Sequence, residues 1–93
     1  DNTIGREGAD VVLPDKTVSR RHARVFVEET GAVYLEDTGS TNGTQRDGTA
    51  ITKNQRVYLA DGMTLQFGGV QVKVVIPAGG GVELDALPAP DVN

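Results

Sequence analysis

Ala23-Arg24-Val25-Phe26-Val27-Glu28-Glu29-Thr30-Gly31-Ala32-Val33-Tyr34-Leu35-Glu36 is the stretch that decides the fold. Ala23, Val25 and Val27 fall on one side of an extended chain and Arg24, Phe26 and Glu28 on the other, a period of two that reads as a strand. Glu29-Thr30-Gly31 turns the chain. Val33 and Leu35 then alternate with Tyr34 and Glu36 on the way back, so residues 23–36 predict a β-hairpin.

The pattern continues outward on both sides. Before the hairpin, Thr3-Ile4 is the end of a strand leading into Gly5, and the apolar run Val11-Val12-Leu13 is stopped by Pro14-Asp15. After it, Thr44-Gln45-Arg46 is a brief strand followed by Asp47-Gly48, a strong two-residue turn signal. Ala50-Ile51 and Val57-Tyr58-Leu59 are short extended pieces, and Asp61-Gly62 turns again. Met63, Leu65 and Phe67 alternate with Thr64 and Gln66, and Gly68-Gly69 turns the chain into Val70, Val72, Val74 and Ile76. No segment has helical periodicity. Many short strands with closely spaced turns predict an all-β sandwich of antiparallel strands.

Ninety-three residues fit one small domain with a modest core. With two Phe, two Tyr and no Trp, that core must be filled mostly by Val, Leu and Ile. Cysteine is absent, which excludes disulfides, thiolate metal sites and thiol catalysis. No apolar run is long enough to span a membrane, and no signal peptide is visible, so the expected location is cytoplasmic. The net charge is −4, but Glu83, Asp85 and Asp91 contribute three of those charges, leaving nine bases against ten acids in residues 1–76. Such a balance argues against nucleic-acid binding, which draws on many phosphate contacts. The body is expected to end at residue 77, with 78–93 an acidic tail or linker containing Gly and Pro.

Arg6, Arg20, Arg21 and Arg24 cluster within the first 24 residues, and they suit a single anion better than a polyanion. A phosphate needs a cation with directional donors, which arginine supplies as a planar fork. Hydroxyl and amide donors on short side chains complete its shell. Ser19, Thr41 and Asn42 are such groups, and with Arg6 and Arg20 they all sit at predicted turns. Gly39-Ser40-Thr41-Asn42-Gly43-Thr44 holds nothing bulky enough to build core, although Asn42-Gly43 alone would also read as a type I′ hairpin turn. Ser19, His22 and Asp37 contain the residue types of a hydrolytic triad, but the glycine-flanked nucleophile elbow is missing. One His and no Cys leave only carboxylates as metal ligands, so no metal site is expected, and Gly79-Gly80-Gly81 is not a phosphate-binding P-loop because no Gly-Lys-Ser/Thr follows.

Ile4-Gly5-Arg6, Ser19-Arg20-x-His22 and Asp37-x-x-Ser40-x-Asn42-Gly43, in this order and at these spacings, resemble the signature of the forkhead-associated (FHA) domain. Leu13-Pro14-Asp15, Asp61-Gly62 and Phe67-Gly68 fit the same pattern, so the resemblance covers residues 4–76. It implies a β-sandwich that binds phosphothreonine in a partner protein or peptide, without catalysis or cofactor, in Ser/Thr kinase signalling. Carried over, Arg6 would contact the phosphothreonine, Ser19 and Arg20 the phosphate together with Thr41, and Asn42 the peptide backbone. Gly5, His22 and Gly43 would shape the loops, with Asp37 bracing them and Ser40 beside it.

The chain departs from that pattern in lacking the family's first two strands, which would leave the Val-rich edge Val70–Ile76 unpaired and open to self-association. A truncation, another chain, or the tail could account for this. Val82-Glu83-Leu84-Asp85-Ala86-Leu87 alternates apolar and acidic residues, and Ala78–Gly81 is long enough to turn it back as a hairpin. The alternative to phosphopeptide binding is a structural FHA-like module that works through its β-edges or another surface.

Overall fold

A computed structural model describes residues 2–88, and among them ten strands form two five-stranded sheets packed face to face. One sheet contains β1 (Asn2–Gly5), β2 (Val11–Val12), β3 (Ala23–Val27), β4 (Val33–Asp37) and β7 (Val57–Leu59), in the order β2-β1-β3-β4-β7. The other contains β5 (Thr44–Arg46), β6 (Thr49–Ala50), β8 (Thr64–Phe67), β9 (Val70–Val75) and β10 (Glu83–Ala86), in the order β10-β9-β8-β5-β6. The β3–β4 hairpin is in the register expected from its alternation, from Ala23 opposite Asp37 to Val27 opposite Val33.

The core is aliphatic. Ile4, Val25, Val33, Leu35 and Leu59 from the first sheet meet Leu65, Phe67, Val72 and Val74 from the second, and all are almost completely buried. Each such side chain contributes about 1.5–3 kcal/mol on leaving water. The hairpin departs from expectation at its far end. Val27 is exposed, whereas Phe26, on the outer face, is buried under two guanidinium groups, with Arg56 3.9 Å and Arg24 5.1 Å from its ring centre. Stacked arginines cover an outward-facing aromatic that strict alternation would leave in water.

Not every strand is antiparallel. β2 runs parallel to β1, with Ile4 opposite Val11, because the intervening loop brings the chain round in the same direction. Asp10 closes that loop, accepting from the Thr3 N–H (3.0 Å) and the Thr3 hydroxyl (3.2 Å). Asp47-Gly48 is the tight turn predicted between β5 and β6, with φ of 49° and 83° at its two central residues, as a type I′ turn requires. Asn42-Gly43 is not such a turn. Only Gly43 has a positive φ (84°), and the stretch is a wide loop between β4 and β5, in opposite sheets.

The tail reading changes as well. Glu83–Ala86 forms β10 and pairs antiparallel with β9, Leu84 lying opposite Val74 and Asp85 opposite Lys73. Val82 and Leu84 pack half-buried against the core while Glu83 and Asp85 face water. Residues 83–86 are thus sheet rather than linker, and the Val70–Ile76 edge expected to be open is occupied by the chain itself. The tail expectation for residues 89–93 lies outside the described residues.

Four buried polar side chains, His22, Asp37, Ser40 and Thr44, sit where the two sheets meet the loops. The Asp37 carboxylate accepts four hydrogen bonds: Gly39 N–H and Ser40 N–H at 2.8 Å on Oδ1, and the hydroxyls of Ser40 (2.6 Å) and Thr44 (2.7 Å) on Oδ2. Burial alone would raise its pKa, but the donors from Ser40, Thr44 and Gly39 outweigh burial and hold it below the ordinary carboxylate value of 3.8.

Two expected outcomes follow from these contacts. A depressed folded-state pKa means that Asp37 contributes its full stabilisation above about pH 4 and loses it as pH falls through the lowered value. Thermal unfolding from about pH 6 down to about pH 2.5 should show Asp37→Asn with a lower midpoint at the upper end and a shallower acid slope than the wild type. Parallel slopes would count against the carboxylate's role. Deleting residues 78–93 should lower the midpoint and make sedimentation concentration-dependent through the bared β9 edge. A truncated chain that stays monomeric at high concentration would refute edge capping.

Candidate functional site

Three loops meet at one end of the sandwich, and backbone contacts set how closely they approach. At the end of β1, Gly5 packs so tightly on the loop before β3 that a Cβ there would lie 1.9 Å from the Arg20 carbonyl oxygen. Only glycine allows this approach. The contact is fixed by Arg6 N–H to Ser19 O (3.1 Å) and His22 N–H to Ile4 O (2.9 Å). The loop of residues 6–10 and the Ser19-Arg20 loop are therefore fastened together.

His22 ties the third loop to them. It is fully buried, stands edge-on to the Phe67 ring at 5.5 Å, accepts the Ser19 N–H at Nδ1 (3.0 Å), and reaches the Gly43 carbonyl with Nε2 (2.9 Å). These partners require the tautomer protonated at Nε2. The Ser19 hydroxyl oxygen accepts the Thr41 N–H at 3.0 Å, a direct link across the two loops. On the Asp37 side, the Ser40 hydroxyl both donates to the carboxylate and accepts the Gly43 N–H at 3.0 Å. Asp37 and Ser40 thus fold the loop from within, and His22 and Ser19 hold it from outside.

The residues expected to contact an anion remain accessible. Arg20, Thr41 and Asn42 are exposed, and Arg6 and Ser19 are half-buried. Ser19 uses its oxygen as an acceptor toward Thr41, so its hydroxyl proton is available to a ligand. Asn42 donates Nδ2–H to the Thr17 carbonyl (2.8 Å), which fixes the carboxamide and leaves its oxygen free as an acceptor for a peptide N–H. Arg20 pairs with Glu7, Nε to Oε1 at 3.3 Å. Together these groups present hydroxyl, amide and guanidinium donors on a braced frame, a set suited to a phosphate carried by an extended peptide.

Most of the residues expected to shape the site are buried. Gly5, His22, Asp37 and Ser40 are inside, and Gly43 is half-buried. The triad grouping does not form: His22 contacts the backbone N–H of Ser19 rather than its hydroxyl, and Asp37 is engaged by Ser40, Thr44 and Gly39. Thr17 was not anticipated. Its N–H and hydroxyl donate to Asp15 Oδ1 (2.9 and 2.5 Å), its hydroxyl oxygen accepts the Gly69 N–H (2.8 Å), and its carbonyl holds Asn42. The Asp-x-Thr spacing after Pro14, a self-bonding turn signal, could have pointed to it.

The chain matches the FHA domain model over residues 2–68. A protein phosphatase 1 regulatory inhibitor subunit PPP1R8 homolog of Arabidopsis thaliana is 38% identical over 58 residues, 62% of this chain but 16% of that protein's length. The crystal structure of the FHA domain of CT664 protein from Chlamydia trachomatis superposes with a TM-score of 0.76 at 29% identity, covering 83% of this chain and 76% of that one. A chain solved in a structural and functional analysis of phosphothreonine-dependent FHA domain interactions has a TM-score of 0.68 at 31% identity, covering 94% of this chain and 77% of that one. On the family match and on the two-sheet architecture alike, the protein belongs to the FHA domain family.

Proposed function

We propose that this sandwich, β10 included, is a non-catalytic module that recognises phosphothreonine in a partner protein, in cytoplasmic Ser/Thr kinase signalling. Arg6, Ser19, Arg20 and Thr41 take the phosphothreonine, and Asn42 takes the peptide backbone beside it. The observation that carries this reading is the Thr41 N–H bond to the Ser19 hydroxyl oxygen, 3.0 Å across two loops. It joins two hydroxyl-bearing residues within a frame on which the Arg6 backbone is also bonded to Ser19. Donors held in place before the ligand arrives need not be ordered on binding, which is where preorganisation adds affinity. The phosphothreonine-dependent interactions studied in the similar FHA chain support the same reading. For the alternative, a structural module working through its β-edges or another surface, β10 removes one of the surfaces it would use, the Val70–Ile76 edge.

Titration of one peptide library in phosphothreonine, phosphoserine and unphosphorylated forms tests the proposal. Binding should require the phosphate and favour threonine, where burial of the extra methyl adds about 0.8 kcal/mol. Equal affinity for the unphosphorylated form would end the proposal. Arg6→Ala should cost roughly 2–5 kcal/mol of binding by leaving phosphate charge unpaired, with little change in thermal midpoint. Gly5→Ala should lower both affinity and midpoint, because its methyl group displaces the Arg20 backbone. Undiminished affinity in the Gly5→Ala variant would show that this close approach does not position the site.

A further inference from the structure

Arg20, one of the phosphate ligands in the reading above, is not idle in the free protein. Its Nε lies 3.3 Å from the Glu7 carboxylate, and both side chains are largely exposed, at 69% and 65%. The pair spans the wall of a groove of about 870 Å³ that Arg21 and Arg24 also line. The loop carrying Glu7 is braced at both ends. Arg6 N–H is bonded to Ser19 O, and Asp10 is bonded to Thr3 through both side chain and backbone. Glu7 is thereby presented to Arg20 as a tethered carboxylate at high local concentration.

We infer that Glu7 is an intrachain competitor for the phosphate on Arg20, so that binding exchanges one anion for another. This inference rests on the phosphothreonine reading. A competitor that every ligand must displace lowers all their affinities by the same factor, so Glu7 sets the strength of binding without choosing among ligands. An exposed ion pair is weak, which keeps the factor small. The release of Glu7 also leaves a negative charge beside the bound phosphate, adding to the effect in the same direction.

Glu7→Gln tests this, using a phosphothreonine peptide chosen from the library and its phosphoserine twin. Affinity for both should rise about two- to fivefold, by one common factor. In the peptide-free protein, the Arg20 Hε resonance should shift on Glu7→Gln, and in wild type it should move away from its paired position as peptide is added. Unchanged or weaker binding by Glu7→Gln would overturn the inference and leave the phosphothreonine reading standing, as would an Arg20 Hε resonance indifferent to the substitution. Failure of wild type and variant alike to bind any phosphopeptide would instead overturn that reading, and this inference with it.

Discussion

The Asp37 carboxylate is the constraint on which the candidate site's loop end depends. Four donors converge on its two oxygens, and three of them come from Gly39 and Ser40 in the loop that follows. The fourth, the Thr44 hydroxyl, lies where the chain enters the second sheet. A buried carboxylate is costly unless fully hydrogen-bonded, and here satisfying the charge dictates the path of the loop. Thr41 and Asn42, the two exposed residues in its middle, are placed by a residue that no peptide would touch.

His22 performs the complementary task from the opposite loop. Each ring nitrogen meets a backbone group, one at Ser19 and one at Gly43, so the imidazole measures the separation of the two loops. Backbone approach sets the remaining spacings. Gly5 against Arg20 has a counterpart in Gly68, where a Cβ would lie 2.2 Å from the Thr17 carbonyl oxygen. Gly68 also has a φ of 59° and donates its N–H to Gly43 O at 3.2 Å. The site is a set of backbones pressed together, with side chains projecting from the seams.

This division explains what the residue order revealed and what it hid. Alternation exposed the β3–β4 hairpin and the apolar faces of β8 and β9, because burial on one side of a sheet imposes a period of two. The candidate anion ligands stood out in the sequence because arginine, hydroxyl and carboxamide groups at turns lie outside any alternating apolar pattern. Phe26 lies on the outer face that alternation assigned it, but its burial was not legible, since a covering guanidinium such as Arg56 lies thirty residues away and periodicity carries no record of a distant partner. The parallel β1–β2 pair was missed for a related reason: the turn depends on Asp10 folding back to Thr3, a local bond with no hydrophobic signature. Thr17 escaped notice because three of its four hydrogen-bonding duties fall to its backbone or reach residues far along the chain.

The second sheet is also joined to the site more closely than its position at the rear suggests. The turn between β8 and β9 supports the loops before β3 and β5, Gly68 through Gly43 and Gly69 through the Thr17 hydroxyl. β9 in turn carries β10, and the Leu87 N–H continues that pairing to the Gln71 carbonyl at 2.8 Å. Leu87 and Pro88 consequently reach a small hollow shared with Asp15 and Gly69, the partners of Thr17. An unbroken series of contacts therefore runs from the C-terminal strand through the β8–β9 turn to Thr17 and Asn42. Its bonds are backbone hydrogen bonds and side-chain bonds of 2.8–2.9 Å. Asn42 is thus fixed from the Thr17 side by the β8–β9 turn, whereas on the Asp37 side the bracing lies within the loop itself.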